Sequence, residues 1–243
     1  MNTNMETSAV YGDHVERAPN ILMRWSHGSR FRVALDMLAP RPGEWIADIG
    51  AGAGTFLAMV AARIGPETLM GLEVWPDHFN EAVARLGPSI RLVSRFDDLP
   101  KAAFDKVTCL ETLEHVVDVP ALLHDIAGLL RPGGRLIVSV PIEVGPVSLV
   151  KNVVRAAQGG AHENATLAAV ANAFFYRASA ITRKGDGRSI GSHVGFDHRK
   201  LGDAFRSAGF TIDRRGYGPT PFRTHLVNSQ VYYDLSKSRC RTV

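Results

Sequence analysis

The chain has 243 residues, 45% hydrophobic and 21% charged, with a formal net charge of +4 at neutral pH. That length suits one large α/β domain, and the balance is ordinary for a globular protein, so a disordered, collagen-like or disulfide-stapled chain is excluded. No apolar run approaches the ~18 residues of a membrane span, and the polar stretch Met1 to Val10 does not read as a signal peptide. Two cysteines, Cys109 and Cys240, lie far apart, with Cys109 in an apolar strand pattern, so a reducing, cytoplasmic setting is expected.

Residues 1–20 read as loosely ordered. Asn20 to Leu38 follows as a helical lead-in, with Ile21, Trp25, Phe31, Leu35 and Leu38 at near-helical spacing. Strand and helix patterns then alternate. Strands are predicted near 44–49, 68–73, 90–94, 105–110 and 135–140, and helices near 54–64, 77–86 and 119–130. Asp118 and Pro120 supply a cap and an early-turn proline for the last helix. Such alternation predicts a parallel sheet with right-handed crossovers and a ligand at the carboxyl ends of its strands.

Residues 142–192 break the rhythm. Val147, Val150, Val153 and Val154 would line one helix, and Leu167, Val170, Ala171, Phe174 and Phe175 a second, before a Gly/Arg/Asp-rich loop, Arg183 to Gly191. Three uses suit such an insertion: a lid over substrate, a homodimer surface, or a peripheral membrane contact. Extra packing over a sheet edge is the plain alternative. His198 to Gly209 is then helical, with Leu201, Phe205 and Ala208 on one face. Phe210 to Tyr217 and Leu226 to Leu235 read as the last strands. The whole is read as a single domain: a lead-in over 1–38, a core over 39–141, an insertion over 142–192, and a closing helix and hairpin over 193–243.

The densest motif is Trp45-Ile-Ala-Asp-Ile-Gly-Ala-Gly-Ala-Gly-Thr-Phe-Leu57. A short apolar run ends in Asp48, and Gly50, Gly52 and Gly54 open the turn into the next helix. Glycine lets this backbone turn sharply and lets a ligand approach closely. The spacing is G-x-G-x-G rather than the G-x-G-x-x-G of dinucleotide folds, and an acid before the first glycine suits a cationic ligand better than a pyrophosphate. About twenty residues on, Glu73 ends the second run, where a carboxylate can accept two hydrogen bonds from a vicinal diol. Asp97-Asp98-Leu99-Pro100 follows the third run, and Pro132-Gly133-Gly134 precedes the fifth.

In order and spacing, these segments from about residue 30 to 141 resemble the class I S-adenosylmethionine (SAM) methyltransferases. The resemblance implies a Rossmann-like α/β fold: a mostly parallel seven-stranded sheet with an antiparallel last strand, helices on both faces and a helical insertion after strand five. It implies SAM as cofactor, held by Asp48, Gly50, Gly52, Gly54 and Glu73, with Trp75 either walling the adenine or serving as a surface aromatic. On the adenine side the chain departs from the family, since Ser94 and Arg95 stand where many members have Gly-Asp. Arginine cannot accept from the adenine amino group, which leaves Asp97 or a backbone carbonyl for that task.

Cys109-Leu-Glu111-Thr-Leu-Glu114-His115 ends the fourth run. Its Glu-x-x-Glu-His pattern resembles that of ubiquinone-biosynthesis O-methyltransferases and small-RNA 2′-O-methyltransferases. The resemblance implies a divalent metal ion, Mg or similar, on Glu111, Glu114 and His115, with a further histidine before the closing helix, here His193. The alternative is metal-free, with His115 or His193 as the catalytic general base, a role suited to a side chain that titrates near neutral pH. The expected reaction is O-methylation of a small-molecule, lipid or glycan acceptor. C- or N-methylation of a small molecule and a non-catalytic SAM-binding subunit are the alternatives. Residues 182–243 hold twelve Lys/Arg against five Asp/Glu, and residues 1–181 sixteen against nineteen. That basic end either meets an acidic partner or is scattered solvated charge. No aromatic–arginine interleaving points to nucleic acid.

Overall fold

A computed structural model of the chain describes residues 21–157, 166–181, 183, 189–190, 193 and 195–238, with backbone alone at 21–29, 153–157 and 167. The expectations for residues 1–20, Cys240 and most of the loop 183–191, and for the side chains of Ile21, Trp25, Val153, Val154 and Leu167, lie outside the described residues.

A helix α1 (Ile21–Leu38) leads into strand β1 (Ile46–Ile49), helix α2 (Thr55–Ile64), strand β2 (Leu69–Leu72), helix α3 (Pro76–Leu86), strands β3 (Arg91–Val93) and β4 (Phe104–Leu110), helix α4 (Val119–Leu129) and strand β5 (Leu130–Pro141). Helices α5 (Pro146–Ala157) and α6 (Leu167–Phe174) form the insertion. Helix α7 (Leu201–Ser207) and strands β6 (Phe210–Gly218) and β7 (Gln230–Lys237) close the fold. The seven strands run in the order β3-β2-β1-β4-β5-β7-β6. β1 to β5 pair in parallel, and β7 lies antiparallel between β5 and β6.

Side chains alternate across the sheet, as the two-residue strand period requires. Ala47, Ile49, Val107, Cys109, Leu136 and Val138 face one core with Leu123 and Ile126 of α4 and Phe205 of α7. Ile46, Ile137 and Tyr232 face the other, with Leu35 and Leu38 of α1 and Phe56, Leu57 and Val60 of α2. Asp118 caps α4 through a 2.9 Å bond from the Ala121 N–H, beside Pro120 in the first turn.

The structure departs from the sequence expectation at three places. β5 begins at Leu130 rather than near 135, because Leu130 pairs with Phe104 ahead of a register shift that accommodates Pro132-Gly133-Gly134. β7 begins at Gln230 rather than Leu226. The intervening loop is closed by buried Asn228, whose side chain accepts from Thr220 and donates to the Phe222 and Thr224 carbonyls. In α5 the residues turned inward are Ser148 and Asn152, while Val150 is 62% exposed. In α6 they are Ala169 and Ala173, with Ala171 and Phe175 outward. Of the apolar positions expected to face inward, Val150, Ala171 and Phe175 are exposed, and Val147, Val170 and Phe174 are half-buried.

Candidate active site

β1, β2 and β4 run parallel as neighbours, so their carboxyl ends lie along one edge of the sheet. After β1 the backbone turns through Gly50, Gly52 and Gly54, all left-handed, at φ +75°, +54° and +76°. The three glycines serve different needs. A Cβ on Gly50 would stand 2.3 Å from Thr112 Oγ1, and one on Gly54 would stand 2.8 Å from Leu86 Cδ1. A Cβ on Gly52 would meet nothing within 4 Å, because that glycine borders open space. Gly50 and Gly54 therefore set packing, and Gly52 faces open space.

Asp48 is buried, and its Oδ1 accepts the Thr108 hydroxyl at 2.6 Å. Burial pushes its carboxyl up to about 7, with the Thr108 hydrogen bond opposing the shift and Glu73 adding to it. Glu73 accepts the Gly52 N–H at 2.8 Å on one oxygen and the Trp75 N–H at 2.9 Å on the other. It thus braces the glycine loop against β2. Trp75 is 49% exposed, at the start of α3. Asp97 sits in an exposed turn, facing Arg95 at 3.9 Å.

At the end of β4 the structure divides the predicted metal set. Ligand atoms of Glu114, His115 and His193 lie within 4.8 Å of one another. Glu111 is not among them. Its backbone takes a left-handed φ of +50°, and its carboxylate accepts from Ser139 Oγ at 2.9 Å and Gln230 Nε2 at 3.1 Å, with Arg30 at 3.8 Å. The segment turns through a 3₁₀ step at Leu113–His115 and not a full α-helical turn, so Glu111 and Glu114 do not share a face.

Glu114 is fully buried, and neither carboxylate oxygen has a hydrogen-bond partner. His193 Nδ1 stands 3.8 Å from Glu114 Oε1. Burial first, then the Glu111 charge, holds the Glu114 carboxyl well above the usual range. His115 and His193 meet edge to face at 4.7 Å. His115 Nδ1 lies 2.9 Å from the Ile190 carbonyl, so it carries the proton and leaves Nε2 as the ring's acceptor. The Ile190 N–H returns a bond to the His115 carbonyl, and Arg183 donates to the Glu114 carbonyl. The far end of the insertion is therefore tied directly to this segment.

Two residues escaped the sequence reading. Arg30 of α1 is a cation with an 11% exposed side chain beside Glu111, and its Nε is buried without a partner. Glu143, buried just after β5, pairs with Lys151 of α5. No motif marks either; an arginine among the apolar positions of the lead-in was the available signal for Arg30.

This strand order, with a glycine loop after β1 and an acid after β2, defines the Rossmann-like methyltransferase class. The chain belongs to the methyltransferase domain family, whose model matches residues 29–214. Nocamycin O-methyltransferase from Saccharothrix syringae is 32% identical over 187 residues, 74% of this chain and 63% of that protein. Ubiquinone biosynthesis O-methyltransferase from Xanthomonas campestris is 33% identical over 117 residues, 44% of this chain and 48% of that protein. The chain thus spans about half to two-thirds of the length of these relatives. The same fold occurs in an S-adenosylmethionine-dependent methyltransferase from Mesorhizobium loti, with a TM-score of 0.58 at 19% identity over 86% of this chain and 97% of that one. It occurs again in geranyl diphosphate C-methyltransferase from Streptomyces coelicolor, with a TM-score of 0.59 at 15% identity over 93% and 81%. Among the described residues, no helix is long and apolar enough to cross a membrane.

Proposed function

We propose that this chain transfers a methyl group from SAM to a hydroxyl oxygen of a small-molecule, lipid or glycan acceptor, with a divalent cation on Glu114, His115 and His193. The observation that carries the cation is Glu114: a fully buried carboxylate with two unpartnered oxygens, facing two imidazoles. Nearby charges sharpen it, since Glu111 faces Arg30 and Glu143 pairs with Lys151. One carboxylate oxygen and two imidazole nitrogens are a donor set suited to Mg, Mn, Fe or Zn. A bound cation lowers the pKa of an acceptor hydroxyl and orients its oxygen.

On the cofactor side, the open space at Gly52 takes the methionine portion and Glu73 accepts the ribose hydroxyls, a reading supported by the Glu73 bond to the Gly52 N–H. Arg30 is the cation available to a carboxylate at that strand end. Asp48 anchors the loop from beneath, and Trp75 and Asp97 border the adenine end. The insertion, tied to His115 and Glu114, closes over the acceptor and excludes water. Both relatives described above are named O-methyltransferases, which favours oxygen as the target. The separated cysteines support a reducing, cytoplasmic setting. A second reading rests on the His115 tautomer: Nε2 would take the acceptor's proton directly, without a metal.

The two readings separate in one experiment. Chelator-treated protein is titrated with Mn²⁺ by calorimetry, as wild type and as Glu114→Gln, and methyl transfer to catechol is followed with and without chelator. The cation reading expects binding at one site, weakened more than about tenfold in the variant, and chelator-sensitive turnover. Equal Mn²⁺ affinity in both proteins, or full turnover in chelator, rejects it and leaves the general base.

A further inference from the structure

Tyr176 follows α6 and holds a left-handed φ of +58°. The hydrogen bonds around it form a helix-ending Schellman pattern: the Arg177 N–H bonds the Asn172 carbonyl, and the Tyr176 N–H bonds the Ala173 carbonyl. Glycine is the usual residue at that position, because a Cβ there crowds the backbone. A tyrosine persists in such a conformation when its side chain is held by its surroundings, and three separate segments hold this one.

The phenol oxygen lies 3.0 Å from His225 Nε2, in the loop between β6 and β7. The Arg199 guanidinium stacks over the ring, 4.6 Å from its centre, and also donates to the Tyr176 carbonyl at 3.0 Å. The third segment is the exit from β5. A Cβ on Gly145 would stand 2.4 Å from the phenol oxygen, so that glycine vacates the space the ring tip occupies. Arg199 carries the contact toward the site. It forks onto Asp197 with two 2.8 Å bonds, Asp197 caps the turn at His198–Lys200, and the Phe196 N–H closes a turn back to the His193 carbonyl.

We propose that Tyr176 is a positioning residue: a latch that fastens the insertion to the β5 exit, the β6–β7 loop and the turn carrying His193, and so sets His193 against Glu114 and His115. The role rests on reading those three residues as the acceptor site. Tyr176 itself touches none of them in any contact described above. Its effect travels through Arg199 and Asp197.

The test compares full-length wild type, Tyr176→Gly, Tyr176→Phe and Arg199→Gln by hydrogen–deuterium exchange and by methyl transfer to catechol. Tyr176→Gly places the favoured residue in the left-handed position, so the helix end survives while the latch is lost. Amides of residues 189–199 should then exchange about tenfold faster, the scale of a lost hydrogen bond plus a cation–π contact. Arg199→Gln should loosen the same segment. Tyr176→Phe keeps the ring and its stack and should stay within about threefold of wild type. SAM affinity and exchange over Gly50–Gly54 should not change, while KM for catechol rises more than kcat falls. Unaltered exchange over 189–199 in both Tyr176→Gly and Arg199→Gln overturns the latch. Absence of methyl transfer in the wild type would remove the acceptor-site reading instead, and the exchange result still decides the latch by itself.

Discussion

Asp48→Asn separates what this acid does to the fold from what it does for a ligand. Asp48 is 3% exposed. Burial raises its carboxyl from 3.8 to about 7, against the opposing Thr108 hydrogen bond and with help from Glu73. In the unfolded chain the carboxyl titrates near its ordinary value. Between about pH 4 and 7 the folded state therefore binds more protons than the unfolded state, and stability falls as pH rises through that window. It is fully present below the window and constant above it. At about 1.36 kcal/mol per pH unit, the interval is worth up to about 4 kcal/mol. Asparagine keeps the shape and can still accept from Thr108 while removing the charge. Urea unfolding of both proteins at about pH 4.5 and about pH 8 should show the wild type losing up to a few kcal/mol more than the variant. Taking the difference between them cancels other titrating groups such as Glu114. The variant should also bind SAM about tenfold more weakly, because a nearby ammonium favours the charged carboxylate. Parallel pH profiles for the two proteins would refute the buried-charge reasoning.

The remaining predictions concern the glycine loop and the acid limb of stability. Gly52→Val should lower SAM affinity more than about tenfold in calorimetry with a melting loss of only about 1–2 kcal/mol, since its side chain enters open space from a left-handed backbone. Gly50→Ala should do the reverse in part, destabilising by about 2–5 kcal/mol because a clash of its Cβ with Thr112 adds to the same left-handed strain; equal melting losses in the two variants would contradict the division of roles. Burial depresses His198 from 6.5 to about 4, so its contribution is complete above about pH 6.5 and is lost as pH falls toward 4. His198→Gln should flatten that acid limb by up to about 3 kcal/mol in urea titrations, and an unchanged limb would show that the ring protonates freely.

The alternation of the core was legible because each strand and helix obeys its own local rule. β1 is four buried residues closed by a glycine turn, and α4 begins at a capping Asp118 with Pro120 behind it. Where the reading slipped, a long-range contact outweighed the local pattern. Pro132-Gly133-Gly134 looks like a strand breaker, yet β5 runs through it because Phe104 offers a partner on the far side of a register shift. In the insertion, valine spacing pointed to a buried face, but Val150 is exposed and Ser148, Asn152, Ala169 and Ala173 are the residues turned inward. Apolar periodicity names a face that could be buried; which face is buried depends on what packs against it.

The site divides along the same line. Gly50, Gly52, Gly54 and Glu73 were legible because a loop and the acid that braces it lie within one βαβ unit, where chain order dictates geometry. Glu111 and Glu114 were not separable, because three residues of spacing bring two carboxylates together only if the backbone is helical. Here Glu111 adopts a left-handed conformation and the next step is a single 3₁₀ turn, so the two side chains part. Arg30, Ser139 and Gln230 converge on Glu111 from three distant stretches of chain. That encirclement gives Glu111 a task of its own: it ties α1, β5 and β7 to the end of β4. With Glu111 engaged there, Glu114 is fully buried, with ligand atoms of His115 and His193 within 4.8 Å of its carboxylate. Three residues apart in sequence, the two carboxylates thus end in different surroundings: Glu111 among Arg30, Ser139 and Gln230, and Glu114 beside His115 and His193.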